Sequence, residues 1–356
     1  RKVPLESDLT IPLAYFLDTP EFNEQTNTGT IGLLNPTRTN QARGIYMVEP
    51  YQPNKIPVLL VHGLWSSPVT WMEMFNDLRS FPEIRENYQF WFYLYPTGEP
   101  YWLSATQMRK DLARMRKDLD PGGVNPALGE MVLVGHSMGG LLSRLQTLDS
   151  GDDFWHLVSE DPFSQLEASP EDKKKLADLL FFTPNPTIQR VVTIGTPHRG
   201  SNLSNDYTRW LGRKLIRFPN MFLQEHERIV RANPNRLRNS ELLTVTTSVD
   251  SLSPDSEVIP VVLNARRAPW VTYHNIVGVL DGGPLSYADG DEKGDGVVSV
   301  ASARIEDSVS ELTVQADHMT VHQNPRSILE VRRILLEHLF EARQNIARPS
   351  EDLLRE

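Results

Sequence analysis

The sequence contains no cysteine. Disulfide bonds, thiolate metal sites and a cysteine nucleophile are therefore excluded, so nucleophilic chemistry must use oxygen or nitrogen. No apolar run approaches the roughly 20 residues that span a bilayer, and the best one, Ile56–Val61, has the length of a strand. Basic residues are outnumbered, 36 against 46 acidic ones, which gives a formal net charge of −10. Such a charge repels the nucleic-acid backbone, so no nucleic-acid partner is expected.

The composition is otherwise that of a globular protein. The 356 residues suffice for one large α/β domain or two ordinary ones, and 39% hydrophobic with 23% charged residues excludes disorder for the bulk of the chain. The chain starts at Arg1 without a basic-then-apolar leader. This start is compatible with an exported or envelope-associated protein that has a leader or anchor upstream, and it leaves the compartment open. The oligomeric state also stays open.

Short β-rich apolar runs alternate with polar, helix-favouring stretches, which predicts a mostly parallel sheet covered by helices on both faces. The predicted strands are Ile56–His62, Gln89–Tyr95, Met131–Gly135, Arg190–Ile194, Tyr273–Leu280 and Glu311–Ala316. The predicted helices are Thr70–Ser80, Ser104–Leu119, Gly139–Leu148 and Pro325–Ala342.

Two stretches interrupt this alternation. The first, at about 149–187, contains Ser169 followed by Pro170, which is typical of a helix start, and the second spans about 201–270. We expect both to be excursions over the carboxyl edge of the sheet, where open α/β sheets bind ligands. The resulting division is an irregular segment or extra edge strands at 1–45, a main domain at 46–345 and a tail at 346–356.

The strongest motif is G-x-S-x-G at Gly135–Gly139, preceded by an apolar strand and followed by a helical stretch. This context is typical of a nucleophile elbow, in which a serine sits in a sharp strand-to-helix turn beside small residues. Ser137 is therefore the predicted nucleophile. The alternative interpretation is a glycine-rich turn without catalytic function.

A second motif is the buried-strand pattern that ends in His62-Gly63. An attack by a serine creates an oxyanion, which preorganised backbone N–H groups stabilise. The natural pair of donors is the N–H of Leu64 and the N–H of Met138. The residues next to these donors are also expected to contact the substrate: His62, Gly63, Trp65 and His136.

With these motifs the sequence resembles the α/β-hydrolase superfamily, and within it the bacterial lipase and esterase branch, including hydrolases similar to lipid-anchor deacylases. The resemblance rests on His62–Leu64, Gly135–Gly140 and Gly195–Ser201, together with the acid and base regions. It implies an α/β-hydrolase fold with cap insertions, in which Gly195–Ser201 lines the active site. It also implies the chain order serine, acid, histidine, so His198 is interpreted as structural.

The acid is expected downstream of the serine. Asp295 stands in Gly294–Ser299, which resembles a lipase Asp-Gly-Val-Val-Ser pattern, whereas Asp281 directly follows a predicted strand. The motif favours Asp295 and the strand-end position favours Asp281. Either could also be an ordinary turn aspartate that accepts local N–H bonds.

The base is expected where the last predicted strand ends. His318 lies 23 residues beyond Asp295 and can accept the serine proton while a carboxylate holds its other nitrogen. His322 is the alternative, four residues later. The acidic loop Asp289–Asp295 departs from the calcium-loop template at Lys293, so neither a metal nor another cofactor is expected.

The second excursion is unusually basic. Arg209–Arg238 carries eight basic residues against two glutamates, interleaved with apolar side chains. This pattern suits a peripheral contact with an anionic membrane surface, or an acyl substrate with a phosphate head. The alternative is a helical cap whose arginines pair with acidic residues elsewhere in the chain.

Together these features predict a serine hydrolase that acts on carboxylic esters, with an ester or lipid as its small-molecule substrate. An acyltransferase is the first alternative, because an alcohol can replace water at the acyl-enzyme without any change of residues. A non-catalytic binding module that kept the fold is the second.

Overall fold

The computed structural model describes residues 43–201, 228–238, 240–245, 247–281, 287–289 and 292–347. A seven-stranded sheet forms its centre, with the strand order β1-β3-β2-β4-β6-β8-β11. Its strands are β1 (Gly44–Met47), β2 (Ile56–Val61), β3 (Tyr88–Leu94), β4 (Met131–His136), β6 (Ile188–Ile194), β8 (Thr272–Val279) and β11 (Ser310–Gln315).

The predicted parallel sheet is confirmed. All six predicted strands are present with bounds within two residues, and they pair in parallel. The edge strand β1 is antiparallel to β3 and falls at the junction of the predicted N-terminal segment and main domain. Residues 1–42 of that segment lie outside the described residues.

The central strands form because their residues are apolar on both faces. Every residue of β2, β3 and β4 is buried, and neighbouring side chains such as Leu59 and Leu60 enter two different hydrophobic cores. One core also contains Leu112 and Leu141, and the other contains Ile334. The sheet is thus covered by helices on both sides, as parallel sheets require.

Helices connect the strands. They are α1 (Met72–Ser80), α2 (Pro82–Asn87), α3 (Tyr101–Leu119), α4 (Met138–Leu145), α5 (Asp153–His156), α6 (Pro170–Leu180), α7 (Glu241–Thr244), α8 (Ser248–Ser251), α9 (Val258–Asn264), α10 (Val300–Ala303) and α11 (Pro325–Ala347). The four predicted helices correspond to α1, α3, α4 and α11, and a 3-10 turn at Pro68–Trp71 precedes α1. In the described part of the chain, no helix has both the length and the apolar character that a membrane crossing needs.

The two excursions pack against each other. Ser169 caps α6 as predicted, because its side chain accepts the N–H of Asp172. A two-stranded ribbon joins the excursions, since β5 (Leu148–Asp149) pairs with β7 (Arg266–Arg267). A second small ribbon, β9 (Tyr287–Asp289) with β10 (Glu292–Lys293), precedes the predicted acid loop.

Three arginines of the basic stretch, Arg228, Arg236 and Arg238, contact acidic residues of the first excursion. Arg228 donates two hydrogen bonds to the carboxylate of Asp172, each 2.9 Å long, and Arg238 pairs with Glu160. These pairs agree with the interpretation of the stretch as a structural cap. The other basic residues that suggested an anionic surface, Arg209–Arg217, lie outside the described residues.

The orientation of α11 can be tested by two alanine substitutions. Ile334→Ala should lower the free energy of unfolding by about 2–5 kcal/mol, because it leaves a cavity at a fully buried position. Phe340→Ala should change it by less than about 0.5 kcal/mol, because that ring is 66% exposed. Urea unfolding measures both, and equal effects would contradict the orientation of the helix.

Candidate active site

Ser137 lies in the turn between β4 and α4. Its backbone is left-handed, with φ 54° and ψ −128°, and its N–H donates to the carbonyl of Ile194 at 2.9 Å. A non-glycine residue in this region carries a strain of about 1–3 kcal/mol, which the surrounding structure must hold. The elbow predicted from the motif is therefore present in the backbone geometry.

The elbow needs glycine where the backbone passes close to its neighbours. A Cβ atom on Gly139 would lie 2.2 Å from the carbonyl oxygen of Val61. Because this oxygen belongs to the main chain of a buried strand, no side-chain movement could relieve the collision. A Cβ atom on Gly63 would lie 2.8 Å from the Cβ of Ser137. The end of β2 and the elbow are thus in direct backbone contact.

His318 contacts the serine. Its Nε2 lies 2.9 Å from the Oγ of Ser137, and its Nδ1 lies 2.8 Å from an Oδ of Asp295. An ionised carboxylate only accepts hydrogen bonds, so Nδ1 carries the proton and Nε2 accepts the hydroxyl of Ser137. The imidazole is therefore in the tautomer that can take a proton from the serine.

Asp295 is held in a fixed orientation. One carboxylate oxygen accepts the N–H groups of Val297 at 3.0 Å and Val298 at 2.7 Å, which leaves the other for His318. The main chain adds a further bond, because the N–H of His318 donates to the carbonyl of Asp295 at 2.9 Å. A side chain on Gly278 would collide with Asp295, since its Cβ would lie 2.8 Å from the Cβ of the aspartate.

The alternative acid and base occupy other positions. Asp281 is exposed and its carboxylate accepts a hydrogen bond from Gln315. His322 is buried, with its Nε2 2.5 Å from the Oγ1 of Thr70. His198 is also buried, with its Nε2 3.3 Å from the Oγ1 of Thr193. The structure brings Asp295 and His318 to Ser137. Asp281, His322 and His198 form hydrogen bonds with other residues.

The expected oxyanion donors lie on either side of the elbow. Met138 is the first residue of α4, so its N–H has no acceptor inside the helix. Leu64 follows Gly63, which packs against Ser137. Trp65 then has a left-handed backbone, φ 55°, and its N–H donates to the Oγ1 of Thr97 at 3.3 Å.

Four histidines cluster around the serine. His136 packs its ring 5.0 Å from that of His318 and 4.2 Å from that of His322, and His62 stacks on Tyr95 at 4.5 Å. Burial lowers the pKa of His62 to about 4, and burial together with nearby His318 lowers the pKa of His322 to about 4. Burial also lowers the pKa of His136 well below its ordinary value. These three side chains are neutral at pH 7.

Of the residues expected to contact the substrate, two have contacts that the sequence did not predict. The Nδ1 of His62 donates to the carbonyl of Gly63 at 3.0 Å, and the Nε2 of His136 donates to the carbonyl of His318 at 2.9 Å. Both side chains are buried. The sequence showed a histidine in each of the two motifs, but it did not indicate that their rings bond to the carbonyls of Gly63 and His318.

The segment Gly195–Ser201 supports the loop that carries Asp295, a contact that the sequence did not predict. The hydroxyl of Ser201 donates to the carbonyl of Val297 at 2.5 Å, and Arg199 donates to the carbonyl of Ala301 at 3.0 Å. The segment thus contacts both the loop that carries Asp295 and the helix that follows this loop. Among the described residues, no group of three or more acidic or histidine side chains could hold a metal ion.

The model of the alpha/beta hydrolase family matches residues 58–330, a range that contains Ser137, Asp295 and His318. The chain is similar to the mature lipase BlEst2 of Bacillus licheniformis, at 17% identity and a TM-score of 0.49 over 82% of this chain and 97% of the other. It is similar to the Staphylococcus hyicus lipase at 12% identity and a TM-score of 0.48, over 85% and 100% of the two chains. No curated protein matches the chain.

The buried histidines should make the free energy of unfolding depend on pH. In the folded protein His62 and His322 stay neutral down to about pH 4, whereas in the unfolded chain they bind protons at about pH 6.5. The unfolded state then holds more protons, so the free energy of unfolding should fall as the pH falls from about 6.5 to about 4. His322→Gln should reduce this slope by up to about 1.4 kcal/mol per pH unit.

Urea unfolding at several pH values between 4.5 and 7 measures the slope for the wild type and the variant, whatever their absolute stabilities. An unchanged slope in His322→Gln would contradict a neutral, buried His322.

Proposed function

The chain belongs to the alpha/beta hydrolase family, and from this membership we propose that it is a serine hydrolase that cleaves carboxylic esters through an acyl-enzyme. The observation that carries the proposal is the unbroken line of contacts from Ser137 through His318 to Asp295, 2.9 Å and 2.8 Å long. A nucleophile, a general base and an orienting carboxylate in hydrogen-bond reach form the arrangement that acyl transfer requires.

In the acylation step, the Oγ of Ser137 attacks the ester carbonyl carbon while His318 takes the hydroxyl proton on Nε2. The imidazolium that forms is stabilised by Asp295, which is 2% exposed and accepts two backbone N–H groups, so its charge is fixed in place. Because the carboxylate does not have to reorient during the reaction, its electrostatic effect is preorganised.

The negative charge that develops on the carbonyl oxygen needs donors at the elbow. We assign this role to the N–H groups of Leu64 and Met138. The close backbone approach of Gly63 to Ser137 and the position of Met138 at the start of α4 support the assignment, because both N–H groups then border the reacting carbon. Each such donor is typically worth roughly 3–4 kcal/mol of transition-state stabilisation.

The same residues complete the catalytic cycle by releasing the alcohol and hydrolysing the acyl-enzyme. His318 gives its proton to the leaving alcohol as the tetrahedral intermediate collapses, and the acyl group remains on Ser137. Water then enters, loses a proton to His318 and attacks the acyl carbon, which releases the acid and restores the serine.

For the organisation of the chain, we infer a hydrolase domain at 46–345 that carries two cap excursions, at about 149–187 and 201–270, flanked by 1–45 and 346–356. The ion pairs between the excursions, such as Arg228 with Asp172, support a cap in which they act as one unit. An ester or lipid substrate would bind under this cap, at the carboxyl edge of the sheet.

The nucleophile is tested by Ser137→Ala. The variant should lose hydrolysis of p-nitrophenyl esters by a factor on the order of 10⁴ or more, because no covalent intermediate can form. The fold should be retained, since alanine only shortens the side chain. Steady-state kinetics and a thermal melt measure both, and hydrolysis close to the wild-type rate in the folded variant would refute the assignment.

The acid is tested by a matched pair of substitutions. Asp295→Asn should lower kcat by a factor on the order of 10³–10⁴, because it removes the charge that stabilises the imidazolium and orients His318. Asp281→Asn, at the exposed alternative position, should leave kcat within about twofold of the wild type. The opposite ranking of the two variants would transfer the role to Asp281.

A further inference from the structure

His136 contacts both halves of the catalytic arrangement. It is the last residue of β4, directly before Ser137, and it pairs with Ile194 on the neighbouring strand β6. Its side chain reaches across to the loop after β11, where its Nε2 lies 2.9 Å from the carbonyl oxygen of His318. Two successive residues thus contact His318: Ser137 contacts its ring and His136 contacts its main-chain carbonyl.

The direction of the second bond follows from its acceptor. A carbonyl oxygen only accepts, so the proton of His136 is on Nε2. The titratable groups around this ring are His62, His318 and His322, and with burial they keep His136 neutral. A neutral ring in a single tautomer is a constant donor to this carbonyl.

The ring of His136 is also fixed by packing. It is 3% exposed, lies 4.2 Å from the ring of His322 and meets Trp71 edge-on at 6.5 Å. His322 is itself bonded to Thr70. Because the donor cannot easily change its rotamer, the position of the strand β4 sets the position of its Nε2.

The main chain of His318 is therefore bonded on both sides. Its N–H donates to the carbonyl of Asp295 at 2.9 Å, and its carbonyl accepts from His136 at 2.9 Å. The first bond ties the base to the acid loop, and the second ties it to the nucleophile elbow. Without the second bond, the peptide after His318 loses its connection to the strand that carries Ser137.

We propose that His136 is a positioning residue, whose Nε2–H holds the main chain of His318 at the distance from Ser137 that proton transfer requires. The inference rests on the proposed function of Ser137 and His318. It replaces the expectation that His136 contacts the substrate. Since a displacement of about 1 Å at a reacting group can cost on the order of 100-fold in rate, one buried hydrogen bond at this point has a large kinetic effect.

The test compares two variants of similar length. The Nε2 of glutamine can occupy the place of the imidazole Nε2 and donate a proton, whereas methionine fills the same space without a donor. We expect His136→Met to lower kcat on a soluble p-nitrophenyl ester by roughly 10- to 100-fold with KM within about threefold of the wild type. His136→Gln should recover kcat to within about fivefold of the wild type.

Rates are expressed per active site, counted by titration with an irreversible phosphonate, so that a misfolded fraction does not enter the comparison. Equal kcat losses in the two variants would overturn the proposal, as would a wild-type kcat in His136→Met. A rise in KM at constant kcat would return His136 to the substrate-contacting role and also overturn it. Failure of the proposed function looks different, because the wild type itself would then neither hydrolyse esters nor react with the phosphonate.

A second measurement does not depend on either variant folding. In wild-type protein labelled with ¹⁵N-histidine, the ring that contacts those of His322 and Trp71 should be neutral and protonated on Nε2 throughout pH 6–9. A ring protonated on Nδ1, or one that becomes doubly protonated in this range, would overturn the proposal.

Discussion

Ser137 has a left-handed backbone at the point where the central strand of the sheet becomes a helix, and the rest of the site depends on this constraint. The conformation is strained, so it persists only because β4 is buried on both faces and Gly139 allows the helix to pack against the end of β2. The same packing brings the turn at Gly63 against the serine. One strained residue thereby fixes both the position of the Ser137 hydroxyl and the turn at Gly63 beside it.

His318 and Asp295 reach Ser137 from distant parts of the chain, and buried hydrogen bonds hold them there. Asp295 is fixed by its own turn, His318 by Asp295 and His136, and the loop around them by Ser201. A network of this kind is costly when partly satisfied and rigid when complete. The arrangement of Ser137, His318 and Asp295 thus depends on several loops that share no local sequence signal.

Much of the fold could be predicted from the sequence because buried parallel strands are continuous apolar runs. The elbow was also predictable, since G-x-S-x-G between a strand and a helix is a local pattern. Which of Asp295 and Asp281 contacts His318 could not be predicted from local sequence. It depends on how the chain between β8 and β11 folds back, and Asp281 lies on the surface beside Gln315. The bond of His136 to His318 joins residues 182 positions apart, and no spacing rule indicates it.

The central claim is that Ser137 is the nucleophile of an ester hydrolase. It is tested most directly by treating the protein with a fluorophosphonate and locating the adduct by tandem mass spectrometry while the remaining esterase activity is followed. The account predicts one equivalent of reagent, bound to Ser137, with activity lost in proportion to the modified fraction. Activity that persists when Ser137 is fully modified, or inactivation by an adduct on another residue, would contradict it.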